Sequence, residues 1–164
     1  MDNNISQEER GRKVSKLIRD NAWNVFQEYA KLGQGSTTLL INAIAFALGD
    51  EAPTLATGDV LIPESHTVEL VVFTSTKVIY FKGISDKETP ALKIFPRSSL
   101  TELTVLSAPQ VVPSPDFQAS GMAQYELQYG AKMQFKLPLN SWANEETRLT
   151  IDALLPELIS DLNV

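Results

Sequence analysis

The fold is decided by residues 69–83, ELVVFTSTKVIYFKG, and by their continuation over residues 91–106, ALKIFPRSSLTELTVL. Two runs rich in β-branched and aromatic residues, 67–74 and 77–82, flank the polar pair Ser75-Thr76, a spacing that predicts a hairpin. A polar loop spans 83–90, and two further strands are predicted over 91–95 and 100–106. Pro96 separates them because it has no N–H to give to a ladder.

Working outward toward the C-terminus, residues 108–121 hold Pro109, Pro113 and Pro115 and read as an extended loop. Strict alternation follows: Ala123, Tyr125, Leu127 and Tyr129 against Gln124, Glu126 and Gln128, then Met133, Phe135 and Leu137 against Lys132, Gln134 and Lys136. One buried and one wet face imply an antiparallel sheet. Opposed residues share a face, so a two-residue turn would pair Tyr129 with Lys132 and mix the faces. A three-residue loop or a nearby bulge, pairing Tyr129 with Met133 and Leu127 with Phe135, keeps them apart. Pro138 ends the strand, and Asn144-Glu145-Glu146 opens a final helix striped by Ile151, Leu154, Leu155, Leu158, Ile159 and Leu162. Pro156 predicts a kink or an interruption in it.

Toward the N-terminus, Ser6-Gln7-Glu8-Glu9 forms a capping box, and Val14, Leu17, Ile18, Ala22, Val25, Phe26 and Tyr29 recur at helical spacing. These predict one helix over 7–32, broken by Gly33-Gln34-Gly35. A second helix over 37–48, capped by Ser36 and stopped by Gly49, is apolar on most sides and must be buried somewhere. Residues 50–67 read as a connector with a short strand at 59–62.

The fold class that follows is α+β: an N-terminal helical pair, an antiparallel sheet or partly open barrel, and a C-terminal amphipathic helix. Residues 71–83, VVFTSTKVIYFKG, and 94–106, IFPRSSLTELTVL, together with the closing helix over 144–162, resemble the bacterial pleckstrin-homology-like superfamily. The resemblance covers residues 58–162 and implies a domain over 58–164 preceded by a helical extension over 1–57. It implies binding or scaffolding and no catalysis. Members that bind phosphoinositides grip phosphate with a basic cluster in the first hairpin. The matching turn here offers only Lys77, with Lys82 and Lys87 further on, so lipid binding does not carry over.

At 164 residues and a formal charge of −6, the chain can bury a real core, and its charge disfavours nucleic acid and anionic membranes as partners. Cysteine is absent, which excludes disulfides and thiolate chemistry, and a cytoplasmic location is expected. The start MDNNISQEER is polar and unlike a signal peptide, and the apolar run 39–48 is about half of a membrane span.

Chemistry-bearing patterns are few. Gly33-Gln34-Gly35-Ser36-Thr37 precedes a helix but lacks the lysine of a phosphate-binding loop and a preceding strand. His66 is the single histidine, which argues against zinc, and no nucleophile elbow exists for it to serve. It reads as a solvent-facing or strand-edge residue. The carboxylate pairs Asp50-Glu51 and Glu145-Glu146 sit at element ends, where acids cap helices and solvate turns. No cofactor is expected, and the chain is read as a non-enzyme.

Two surfaces remain. Lys77, Lys82, Lys87, Lys93 and Arg97 form either an anion or acidic-partner surface, or edge-strand charges that discourage aggregation. Leu39, Leu40, Ile44 and Phe46 on the 37–48 helix either pack under the Val14–Tyr29 stripe or meet another subunit. The leading expectation is a non-catalytic protein-interaction or scaffold domain that self-associates. The alternatives are a lipid- or small-ligand-binding module, and an acidic secretion-chaperone-like or immunity-type dimer.

Overall fold

The computed structural model describes residues 6–32, 35–84, 90–108, 123–140 and 143–162. Helices α1 (Gln7–Asn21), α2 (Trp23–Lys31) and α3 (Ser36–Leu48) come first. Strands β1 (Leu55–Ile62), β2 (Thr67–Phe73), β3 (Lys77–Ile84) and β4 (Lys93–Pro96) form one antiparallel sheet in that order. Strands β5 (Leu100–Ser107), β6 (Gln124–Tyr129) and β7 (Met133–Leu137) form a second, and α4 (Glu145–Asp161) closes the chain. The fold is α+β, with two separate sheets that do not close into a barrel.

The unbroken apolar character of β2 and β3 has a direct cause: their sheet is buried on both faces. On one face Ala56, Val68, Leu70, Val72, Ile79 and Phe81 pack against Val14, Ile18, Val25, Tyr29, Leu40, Ile44 and Leu48 of the helices. On the other, Leu55, Val71, Phe73, Val78 and Tyr80 meet Leu127, Tyr129, Met133, Phe135 and Leu137 of the second sheet and Ile151, Leu154 and Leu158 of α4. Phe135 anchors that interior, lying 6.2 Å from Phe73, 5.9 Å from Tyr80 and 5.8 Å from Tyr129, ring centre to ring centre. The 37–48 helix, all-round apolar in sequence, thus finds most of its cover within its own chain.

The β6–β7 register is the one that alternation demands: Tyr129 opposes Met133 and Leu127 opposes Phe135, across the three-residue turn Gly130-Ala131-Lys132. The Ser6 hydroxyl accepts from the Glu9 N–H as the capping box requires.

Other expectations need correction. The first helix is two, broken at Ala22 (φ −139°, ψ 47°). The Asn21 amide donates back to the Leu17 carbonyl and its oxygen accepts from the Thr147 hydroxyl (2.5 Å). That side chain competes with the helical ladder and ties α1 to α4. Ser36 is the first residue of α3, whose N-cap is Gly35 at φ 110°, without a side-chain cap. Pro156 lies inside α4 without ending it, so the final helix is continuous over Glu145–Asp161. The supposed connector contains a full strand, β1, which begins at Leu55 and pairs with β2 along its length. Its glycine is the reason the composition misleads. A Cβ on Gly58 would stand 2.7 Å from Val25 Cγ2, 3.0 Å from Ala22 Cβ and 3.1 Å from the Glu69 carbonyl oxygen. Gly58 marks a point where the helices approach the sheet backbone too closely for a side chain. Replacing it with alanine is expected to destabilise the protein by about 1–3 kcal/mol through overpacking against a strand carbonyl. Urea denaturation checks this, and an unchanged midpoint would contradict the packing described.

Candidate functional site

The residues expected to form a basic surface separate into two groups. Lys77 and Arg97 are fastenings. Lys77 Nζ pairs with Glu51 (3.0 Å) and donates to the Leu48 carbonyl at the end of α3 (3.2 Å). Arg97 is buried, with Nε on Asp161 (2.9 Å) and Nη1 on Glu157 (2.7 Å), and so joins the β4–β5 link to α4. Removing one side of such a pair strands the other charge, so its role is positional. Lys82 and Lys93 are exposed, whereas Lys87 lies outside the described residues.

Register explains which lysines come together. Lys82 and Tyr80 alternate on one face of β3, and Tyr80 opposes Lys93 of β4. The β6–β7 turn brings Lys132 to the same end of the space between the sheets. Lys82, Lys93 and Lys132 accordingly line one pocket of about 270 Å³ with Tyr80, Met133 and Gln134. Among the described residues none of the three lysines makes an ion pair. The Tyr80 hydroxyl donates to Glu69 (2.6 Å), and burial first, then that carboxylate, pushes its pKa far up, so it stays protonated. Lys132 was not legible as a partner of Lys82 because the two lie far apart in the chain. Alternation over 123–137 sets the β6–β7 register alone and carries no signal of how that hairpin packs against the other sheet.

The second surface is apolar. Of the four α3 residues expected to meet a partner, Leu40 and Ile44 are buried in the helix–sheet core and unavailable to one. Leu39 and Phe46 point outward, Phe46 with 80 % of its surface exposed. They line a groove of about 890 Å³ with Leu92 and Ile94 of the β4 segment and with Gln7 and Glu8 at the start of α1. Ile94 opposes Ile79, so it lies on the helix side of the sheet, opposite to Lys93. Sequence reasoning missed Leu92 and Ile94, since in a four-residue strand alternation is too short to assign a face.

Neither carboxylate pair forms an acid–base constellation. Asp50 pairs with Arg10 (2.8 Å), and Glu145 and Glu146 occupy the exposed first turn of α4. His66 stands at the edge of β2 and is partly exposed, as expected, but it also has a specific role: it adopts a left-handed conformation (φ 52°), and its Nδ1 lies 2.7 Å from the buried carboxylate of Glu28, which also holds Lys31. Hydrogen bonds from Lys31 and then His66 hold the Glu28 carboxyl below its ordinary range. This cluster fastens α2 to the β1–β2 connection. Among the described residues no group of three His, Asp or Glu could hold a metal ion, and no helix is long and apolar enough to cross a membrane.

Glu51 is the most heavily bonded carboxylate among the described residues. It accepts from the Thr74 hydroxyl (2.5 Å), the Thr76 hydroxyl (2.7 Å) and the Thr76 N–H (3.2 Å), besides pairing with Lys77. Burial pushes its pKa up, but these bonds outweigh burial and hold it at about 2, against an ordinary 4.5. A depressed folded-state pKa contributes stability above the unfolded value, and that contribution fades as pH falls from 4.5 toward about 2. Glu51→Gln is therefore expected to lose about 1–2 kcal/mol near neutral pH, allowing for partial solvent exposure, with the deficit shrinking toward about pH 2. Urea titrations of both proteins across that range check it. A deficit independent of pH would contradict it. Comparison with protein-family models, with curated proteins and with solved structures finds no match to the chain.

Proposed function

We propose that this protein is a non-catalytic interaction module that assembles with a second copy of itself through the open edge of β4 and the α3 groove. One observation carries the reading: Phe46, 80 % exposed, stands beside Leu39 and the half-exposed Ile94 over an apolar groove that borders a strand edge unpaired among the described residues. Exposed apolar surface next to free strand N–H and C=O groups is what β-pairing between chains uses.

Geometry favours a second copy as occupant. Two β4 strands related by a two-fold axis perpendicular to the sheet run antiparallel, as the rest of that sheet does. Such an axis keeps the helices of both copies on the same side. Phe46 and Ile94, both on that side, then meet their counterparts across the axis and lose their exposure to water. The basic pocket, on the opposite side of β4, stays open. The run of strands followed by a closing helix supports a pleckstrin-homology-like module as the architectural reading, with two open sheets in place of a closed barrel.

Sedimentation velocity over a range of concentrations tests the proposal. The wild-type chain is expected to shift toward dimer mass as concentration rises, and Phe46→Glu to remain monomeric with an unchanged unfolding midpoint. A wild-type monomer throughout, or a dimer that Phe46→Glu and Ile94→Lys leave intact, would overturn it.

A further inference from the structure

We infer that the pocket between the sheets binds a small phosphate-bearing anion through Lys82, Lys93 and Lys132. This rests on different residues from the self-association surface and on the other face of β4. Three lysines line one concavity of about 270 Å³, and none has an ion-pair partner among the described residues. Like charges gathered in one concavity repel one another, and an anion between them relieves that repulsion. Glu69 opposes Lys82 across the β2–β3 ladder and accepts from the Tyr80 hydroxyl at 2.6 Å, so this one carboxylate stands against three lysines and leaves the positive charge in excess.

Chemistry narrows the ligand class. Lysine acts as a flexible point charge and suits phosphate, whereas planar recognition of carboxylates favours arginine, and no arginine lines the pocket among the described residues. Sites for drug-sized ligands occupy roughly 300–1,000 Å³, so this one is scaled to one or two phosphate groups with little else. The formal charge of −6 for the whole chain opposes approach to an anionic bilayer or a nucleic acid, and leaves a small soluble anion as the ligand. Buried Tyr80 and Met133 form a firm floor, fixed by the stacking of Tyr80 on Phe135.

Isothermal titration calorimetry with inorganic pyrophosphate at low ionic strength, using the full chain, tests this. Binding is expected to be saturable and to weaken with salt. Each of Lys82→Gln, Lys93→Gln and Lys132→Gln should weaken it roughly tenfold, as the loss of one charged hydrogen-bond donor implies. Lys16→Gln, a charge change on α1, should leave it unaltered. Co-sedimentation with phosphatidic acid vesicles separates a lipid headgroup from a free anion: no pelleting is expected. Absence of pyrophosphate binding, equal weakening by Lys16→Gln, or pelleting with vesicles without pyrophosphate binding would each overturn the inference.

Discussion

Burial of the β2–β3 hairpin on both faces is the constraint on which the rest of the molecule depends. Val72 and Ile79 require the helices, while Val71, Phe73 and Val78 require the second sheet and α4. Each fully buried side chain of this size contributes about 1.5–3 kcal/mol relative to exposure, so neither cover is dispensable. Gly58 sets how closely the helices can approach. Asn21, Asp20 and Asn144 then tie the helical side to the start of α4 by direct hydrogen bonds, Asn144 Nδ2 donating to the Asp20 carbonyl at 2.8 Å.

The same constraint shapes what is left for function. Burying both faces consumes most of the apolar surface, including Leu40 and Ile44, and of the large apolar side chains that stay exposed, Phe46, Leu39 and Ile94 gather beside β4, the last strand of its sheet among the described residues. The cations divide in a similar way. Those near the β2–β3 turn and the β4–β5 link, Lys77 and Arg97, are held by Glu51, Glu157 and Asp161. Those at the far end of the sheets have no such partners among the described residues.

How much of this was legible in the sequence depends on the range of the signal. Strand pairs joined by short turns were readable, because alternation over 123–137 and the turn at 75–76 are local. The capping box at Ser6 was readable for the same reason. The break at Ala22 was not, since the apolar stripe runs on through it and the residue before it, Asn21, is bonded to Thr147, far along the chain. Strand β1 was hidden by Gly58, whose missing side chain is explained only by the helices above it. Apolar periodicity says that Leu40 and Phe46 both need consideration, but not which of them the sheet covers. Of the expected basic surface, Lys82 and Lys93 line one pocket while Lys77 and Arg97 are fastenings, and Lys132 joins that pocket only through the packing of the two sheets, which no local pattern records.

Native-state hydrogen exchange tests most directly whether helices and sheets form one cooperative structure. If the helical cover is integral, the slowest amides of α1 and α3 share the exchange free energy of the β2 and β3 amides and follow it together as denaturant is added. Helical amides that exchange through a separate opening of much lower free energy, while β2 and β3 keep their protection, would contradict the account.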